Sequence, residues 1–359
     1  MPTRAETNAE AARLRARFEQ AGAQVVDPPV LQPAATLLDL YGEDIRARAY
    51  VTSDALRGEQ MLRPDFTVPV VEMHMQSGAT PARYTYAGAV FRQQERDAAR
   101  ANEYVQVGYE VFERSDPAAA DAEVFALIAQ ALEGLPVGAV TGDMGVLMDA
   151  VTGLETTGRR KAALMRHIWR PKRFRALLDR FAGRSAMPST RAALLAGQTA
   201  SSAPLIGLRS QDEIDARIAA LHEDAAAPPL EGAQVVQIAA LLELKAQMPE
   251  ALARLQDLAG AMPQIEAAVA RVAARQAALQ DRGIDTRALA FEASYGRVSM
   301  EYYDGFVFGF YAQGRDDLPA IASGGRYDAM TRALGQGAAI PAVGGVMRPD
   351  LMLQLRQGR

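Results

Sequence analysis

Three stretches of the chain have the spacing of β-strands, in which successive side chains point to opposite faces. The pattern predicts one strand over residues 83–92 and a returning strand over residues 103–113. A third strand is predicted around Phe306, Phe308 and Phe310, whose rings share one face. The alternation therefore predicts a sheet with at least two antiparallel neighbours.

Other stretches have the periodicity of amphipathic helices. Residues 7–22 predict a helix, because Leu14 and Phe18 lie four apart and Gly22 is a plausible stop. From residue 144 to about 282, alanine, leucine, arginine and glutamine dominate between scattered prolines, which predicts a helical insertion. Shorter helices are predicted near residues 34–40, after Pro64, over 121–132 and over 329–334.

Composition excludes several kinds of chemistry. The chain of 359 residues has a formal net charge of −4 and no long basic run, which argues against a large nucleic-acid footprint. It contains no cysteine, so disulfides, thiolate nucleophiles and cysteine-ligated zinc are excluded. Because the three histidines are spread along the chain, we expect no metal site. No apolar signal core or membrane-spanning run is present, so we expect a cytoplasmic protein without membrane contact.

Two adjacent glycines, Gly324 and Gly325, precede Arg326, Tyr327 and Asp328. Because glycine carries no Cβ, the backbone can approach a ligand closely at this point. An arginine and a carboxylate beside bare backbone suit a small zwitterion. A β-hairpin with a glycine turn and an aromatic core face explains the same pattern, and both interpretations remain open.

Two further groups of polar residues are candidates for a ligand site. Gln106, Gly108 and Glu110 fall on one face of a predicted strand, which forms either a pocket floor or a solvent-facing surface. Arg63 and Asp65 flank a predicted helix start. This pattern fits a binding site for a charged ligand and an ordinary helix cap equally well.

Taken together, five segments resemble the catalytic core of class II aminoacyl-tRNA synthetases of the histidyl type. The resemblance covers about residues 10–140 and 285–352 and is specific only in combination. The segments that carry it are 62–67 (LRPDFT), 86–92 (YAGAVFR), 103–110 (EYVQVGYE), 301–308 (EYYDGFVF) and 322–328 (ASGGRYD).

The resemblance implies an α+β fold, with an antiparallel sheet flanked by helices. We expect a core formed by residues 1–142 and 284–359, a mainly helical insertion over 143–283, and no anticodon-binding domain. It also implies homodimerisation through a helix and strand near residues 7–40.

The departures from the synthetase pattern concern ATP. The family's activating arginine falls at Val298, with Arg297 one place away, and its motif 3 arginine falls at Leu351. Adenylate formation concentrates charge at the α-phosphate, so loss of cationic donors there removes several kcal/mol of stabilisation. The loop after Arg92 is also spaced differently from that of the family.

These losses are typical of ATP phosphoribosyltransferase regulatory subunits, a family that the segment 166–175 also resembles. The resemblance implies a non-catalytic protein without cofactor. It implies a short-form catalytic subunit as partner, within a hetero-oligomer such as a hetero-octamer. The pair performs the first step of histidine biosynthesis, and the regulatory subunit is required for activity and for feedback inhibition by histidine.

The same resemblance implies a pocket that still binds histidine as effector. A competing hypothesis places histidine at the boundary with the catalytic subunit. Two other functions remain open: a diverged amino-acid-activating enzyme of the histidyl-tRNA synthetase type, and a translation-associated binding module. The candidate histidine-binding residues are Asp65, Thr67, Arg92, Gln106, Glu110, Tyr302, Tyr303, Arg326 and Tyr327.

Overall fold

A nine-stranded sheet forms the centre of the chain in the computed structural model. The structure describes residues 2–41, 48–94, 100–198, 206–297 and 302–358. The strands are β1 Gln24–Val25, β2 Leu31–Pro33, β3 Val51–Asp54, β4 Gly58–Leu62, β5 Ala82–Phe91, β6 Glu103–Phe112, β7 Val137–Asp143, β8 Lys245–Gln247, β9 Ala290–Glu292, β10 Phe306–Ala312, β11 Ala322–Arg326 and β12 Ala342–Met347.

Helices cover the sheet and form most of the chain between β7 and β9. The helices of the N-terminal part are α1 Arg4–Gln20, α2 Ala34–Tyr41, α3 Thr67–Ser77 and α4 Pro117–Ala131. Those of the middle part are α5 Met144–Thr152, α6 Gly158–Arg166, α7 Pro171–Phe181, α8 Ser189–Leu195, α9 Gln211–Ala226, α10 Gly232–Glu243, α11 Met248–Ala261 and α12 Glu266–Asp281. Helices α13 Asp328–Leu334 and α14 Pro349–Arg356 follow.

The order of the large sheet is β1-β5-β6-β12-β11-β10-β7-β9-β8. All neighbours run antiparallel except β1 with β5 and β7 with β9. The predicted strand pair is confirmed, because β5 and β6 pair from Ala82–Phe112 to Phe91–Glu103. Strand β4, which the sequence pattern missed, joins β2 and β3 in a separate three-stranded sheet. The α+β class is therefore confirmed.

The two faces of the large sheet have different chemistry. On one face, Phe306, Phe308 and Phe310 surround Phe125 of α4, with ring centroids 5.1–6.3 Å apart. This burial confirms the predicted aromatic core face. Because strand side chains alternate, Val307 and Gly309 between these positions face the opposite side of the sheet.

The paired glycines lie inside a strand, which corrects the predicted glycine turn. Gly324 and Gly325 belong to β11 and pair with both β10 and β12. A Cβ at Gly324 would overlap the Gly344 carbonyl, and one at Gly325 would come 2.5 Å from the Phe306 carbonyl oxygen. Only glycine therefore permits this close strand packing.

A buried ionic cluster joins the core strands to two helices. Asp121 of α4 accepts hydrogen bonds from Arg326 at 2.6 Å and from Arg275 of α12 at 2.7 Å. Arg275 also pairs with Asp143 at 2.9 Å, and Arg326 pairs with Asp328 at 3.1 Å. Each arginine thus lies between two carboxylates, which compensates the cost of burying the charges.

Replacing Asp121→Asn should lower the free energy of unfolding by about 3 kcal/mol, because two buried arginines lose a shared counter-charge. Chemical denaturation measures the change. Asp285→Asn is the control, since Asp285 pairs with Arg287 on the surface and should change stability little. Equal effects of the two substitutions would contradict a structural role for the cluster.

Candidate functional site

Seven of the nine predicted residues line one small cavity, which we call the tyrosine pocket. It lies on the sheet face opposite α4 and has a volume of about 40 Å³. The predicted residues in its lining are Asp65, Thr67, Arg92, Gln106, Tyr302, Tyr303 and Tyr327. The sequence analysis missed four lining residues, Ser323, Gly344, Gly345 and Val346. Alternation along β11 could have indicated Ser323, because it has the same parity as Tyr327.

Glu110 lies fully buried directly beneath this pocket. Its carboxylate accepts hydrogen bonds from Tyr327 Oη at 2.5 Å, Tyr86 Oη at 2.8 Å and Thr67 Oγ1 at 3.1 Å. Burial raises the pKa of Glu110 to about 7, although the three hydroxyl donors oppose that shift. The carboxyl group therefore changes charge close to neutral pH.

Two glycines make room for this buried carboxylate. A Cβ at Gly344 of β12 would overlap the Glu110 carboxylate, and a Cβ at Gly108 would overlap the Tyr86 ring. Tyr86 itself stacks on Phe66, with ring centroids 4.2 Å apart. Sequence reasoning did not single out Tyr86 or Gly344, because their roles arise only when β5, β6 and β12 lie side by side.

Gln106 and Arg92 supply polar atoms of opposite character to the pocket. Gln106 is 3% exposed, and its Oε1 accepts no hydrogen bond among the described residues. Arg92 donates from Nε to the Pro64 carbonyl at 2.7 Å and holds Nη2 4.0 Å from Asp65. A buried acceptor without a donor is costly, so Gln106 Oε1 is well placed to accept a hydrogen bond from a ligand.

The polar trio on β6 is therefore part of a buried site, and the solvent-facing alternative is wrong. Gln106 and Glu110 are both buried, and Tyr86 covers Gly108. At the helix start, Phe66 rather than a polar side chain occupies the N-cap of α3. Asp65 Oδ1 accepts instead from the Thr67 backbone N–H at 3.1 Å.

Arg326 is the predicted residue that the structure places elsewhere. Its guanidinium lies on the α4 side of the sheet and contacts Asp121, Asp328 and the Pro117 carbonyl oxygen. Adjacent residues of a strand point to opposite faces, so Arg326 and the pocket-facing side chains of β11 diverge. The opposing Asp121 and Asp328 carboxylates keep its pKa raised despite burial.

The tyrosine pocket is tightly closed. Its volume of about 40 Å³ is far below the several hundred Å³ typical of small-molecule sites. Tyr302 contacts the rings of Tyr303 and Tyr327, with centroids 4.7 and 6.2 Å away. Entry of an amino acid therefore requires these side chains to move.

The positions that distinguish this chain from an ATP-using enzyme are only partly described. Val298 lies outside the described residues. Leu351 is buried in α14, where it offers no cationic donor. Arg297 does not replace the missing arginine, because its Nε donates to the Ile168 carbonyl at 2.6 Å and its guanidinium lies 4.8 Å from the Phe174 ring centroid.

A larger cavity of about 670 Å³ lies beside the start of β6 and the segments that follow β10 and β12, and none of the nine candidate residues lines it. Its wall includes Leu351 and Arg348. The Arg348 guanidinium stacks 3.9 Å from the Tyr104 ring centroid and pairs with Asp350 at 2.8 Å. The residues that resemble histidine-recognising segments are therefore found in the smaller tyrosine pocket and not in this cavity.

Two classes of site are absent from the part of the chain that the structure describes. No group of three or more histidine, aspartate or glutamate residues is placed to hold a metal ion there. None of the helices in the same ranges is long and apolar enough to cross a membrane.

Comparison with solved structures identifies the fold. A Bacillus halodurans structure described as an ATP phosphoribosyltransferase regulatory subunit/histidyl-tRNA synthetase aligns with a TM-score of 0.69 and 19% identity, covering 98% of this chain and 79% of that chain. Histidyl-tRNA synthetase from Nostoc aligns with a TM-score of 0.65 and 16% identity, covering 98% of this chain and 72% of that one. The family model for histidyl-tRNA synthetase matches residues 1–351. Fold and pocket together define a class II synthetase-like protein of the histidyl type.

Curated relatives define the branch of that class. The chain is 31% identical to the ATP phosphoribosyltransferase regulatory subunit of Brucella anthropi, over 92% of this chain and 93% of that protein. It is 33% identical to the protein of the same name from Sinorhizobium medicae, again over 92% and 93%. The chain therefore belongs to the family of ATP phosphoribosyltransferase regulatory subunits, whose members are regulatory rather than catalytic.

The pKa of Glu110 predicts how stability varies with pH. The usual pKa of a glutamate carboxyl is 4.5, and burial raises the pKa of Glu110 to about 7, so folding disfavours its ionised form. Its contribution to stability therefore falls as pH rises from about 4.5 to about 7. As pH rises from 5 to 8, the free energy of unfolding of Glu110→Gln should increase by up to about 3 kcal/mol relative to that of the unmodified protein.

Chemical denaturation at several pH values measures this difference. Asp304 has a pKa raised to about 6 by burial and by Asp328, so both proteins should lose some stability over the same range. The difference between them isolates Glu110. The exposed Glu133→Gln is the matched control, and a pH-independent difference for Glu110→Gln would refute the raised pKa.

Proposed function

We propose that this chain activates the short-form catalytic subunit of ATP phosphoribosyltransferase in the cytoplasm and transmits feedback inhibition by histidine in the first step of histidine biosynthesis. The observation that carries the proposal is that this chain combines a small polar pocket with the absence of the motif 3 arginine used in amino-acid activation. Asp65, Arg92 and Gln106 line the pocket, whereas Leu351 occupies the motif 3 arginine position. Family membership supports the same function.

The pocket chemistry is suited to a zwitterion with a hydrogen-bonding side chain. Asp65 and the underlying Glu110 favour an ammonium group, and Arg92 favours a carboxylate. The acceptor of Gln106 can pair with an imidazole N–H or an ammonium. These complementary groups support histidine as the occupant.

Regulation in this proposal is conformational. The regulatory chain supplies no reacting group and instead biases the catalytic partner between two states. Histidine entry must displace the closely packed rings of Tyr302, Tyr303 and Tyr327, so binding changes the pocket wall. Histidine stabilises the open arrangement of these tyrosines relative to the closed one, and this difference couples histidine binding to the state of the catalytic subunit.

We further propose a homodimer of this chain within the hetero-oligomer, with a hetero-octamer as the expected assembly. Val25, Val30, Leu31 and Val51 are at least 40% exposed and belong to the region of β1, β2 and β3. Exposed apolar residues gathered in one region are typical of protein interfaces. The proposed organisation keeps residues 143–283 as an insertion within a core of 1–142 and 284–359.

The histidine hypothesis predicts a specific loss of affinity. Gln106→Leu should weaken histidine binding by about tenfold or more, because the ligand loses a buried hydrogen-bond partner. Calorimetry on the complex with the catalytic subunit measures the affinity. Gln130→Leu, at an exposed position of α4, is the control. Unchanged affinity in folded Gln106→Leu would favour histidine binding at the boundary between the subunits.

The regulatory role predicts a gain of activity on mixing. The short catalytic subunit should transfer phosphoribosyl groups slowly alone and faster when this chain is added, while this chain alone should not catalyse histidine-dependent pyrophosphate exchange. Assays of phosphoribosyl transfer and pyrophosphate exchange measure both activities, and sedimentation of the mixture gives its stoichiometry. Full activity of the catalytic subunit alone, or exchange by this chain, would contradict the proposed role.

A further inference from the structure

The charges of this chain are strongly segregated. Residues 159–184 contain ten lysines and arginines and only one acidic residue, Asp179, which is a net charge of +9. The rest of the chain holds 29 cations and 42 acidic residues, so it carries a net charge of −13. A local excess of this size creates a positive field that the overall charge of −4 conceals.

The positive segment forms helices α6 and α7 and the turn between them. Its exposed cations include Arg166, Lys172, Arg173 and Arg175. Within the described ranges, none of these four lies at ion-pair distance from a carboxylate. By contrast, the less exposed Arg160 pairs with Asp224 at 2.6 Å. The surface of the turn therefore keeps most of its charge available.

The position of these cations is unfavourable for the helix itself. Lys172 and Arg173 lie in the first turn of α7, which has no acidic residue there and no side-chain cap. Cations near a helix N-terminus oppose the helix dipole, so this arrangement costs stability. A local rule broken without compensation inside the chain is typical of a functional surface.

The turn is held rigidly against the core. Ile168 and Phe174 are fully buried, and Arg297 contacts both through its hydrogen bond to the Ile168 carbonyl and its stacking on the Phe174 ring. The buried nitrogens His167 Nδ1 and Trp169 Nε1 have no hydrogen-bond partner among the described residues. A backbone fixed in this way loses little conformational freedom when a partner binds.

We propose that the basic turn surface, formed by Arg166, Trp169, Lys172, Arg173 and Arg175, docks an acidic face of the catalytic subunit. This inference rests on the proposed function for the existence of that partner. Arginine and tryptophan are the residues most enriched at the energetic centres of protein interfaces, and the only tryptophan of the chain is Trp169.

The charge distribution favours a compact protein face over a nucleic acid. A nucleic acid is a long polyanion. Beyond the basic turn surface it would be repelled by the rest of the chain, which has a net charge of −13. An acidic patch on a protein can instead match the size of the positive surface and so avoid this repulsion. Electrostatic docking of this kind mainly sets the association rate and its dependence on salt.

The docking surface is tested by reversing two of its charges. Arg166→Glu combined with Arg173→Glu is compared with Arg217→Glu combined with Arg332→Glu, two exposed arginines on other elements. Calorimetry and rapid mixing measure binding of each full-length variant to the catalytic subunit at about 50 and 200 mM salt. Thermal melting of every variant verifies folding.

The turn variant should bind at least about tenfold more weakly, associate more slowly and lose most of the salt dependence, whereas the control should stay close to the unmodified chain. Equal affinities of the folded turn and control variants would overturn the docking surface but leave the proposed function intact. No complex with the unmodified chain would overturn the proposed function itself.

A second arm separates protein from nucleic acid. A labelled 20-nucleotide single-stranded RNA is titrated with the unmodified chain and with the turn variant near physiological salt. Weak binding of the RNA by both proteins supports the proposal. Tight binding by the unmodified chain that the turn variant loses, together with unchanged binding of the catalytic subunit, would overturn it in favour of a nucleic-acid surface.

Discussion

The buried carboxylate of Glu110 is the constraint around which the candidate site is built. It needs hydroxyl donors from Thr67, Tyr86 and Tyr327, which come from three distant parts of the chain. It also needs the missing Cβ of Gly344, because any larger residue would occupy the position of the carboxylate. The sheet must therefore bring β5, β6, β11 and β12 into register before the pocket exists.

The two faces of the sheet separate recognition from structural support. On the pocket face, three hydroxyl groups donate hydrogen bonds to a titratable carboxylate that has little space beside it. On the helical face, Asp121 binds Arg275 and Arg326 and so ties helix α12 to the core strands. The pocket and helix α12 consequently pack on the same sheet, although they use different polar networks.

Loss of the cations for amino-acid activation changes how a synthetase-like pocket can be used. With Leu351 in α14 and Arg297 directed toward Ile168, the described residues do not supply the cations that adenylate formation requires at these positions. Binding energy is then available to shift a conformational equilibrium instead of lowering a chemical barrier. Arg297 instead supports the turn between α6 and α7 through its contacts with Ile168 and Phe174.

Sequence periodicity alone determined the paired strands β5 and β6 and the aromatic face of β10, because alternation reports directly which side of a strand is buried. Resemblance between short segments determined the class of fold and brought Asp65, Gln106 and Tyr327 to attention. Only the tertiary structure decided that Arg326 leaves the pocket, that Tyr86 supports Glu110, and that Gly344 makes room for it. These outcomes depend on which strands become neighbours and on which face each side chain occupies, and the order of residues along one chain contains neither directly.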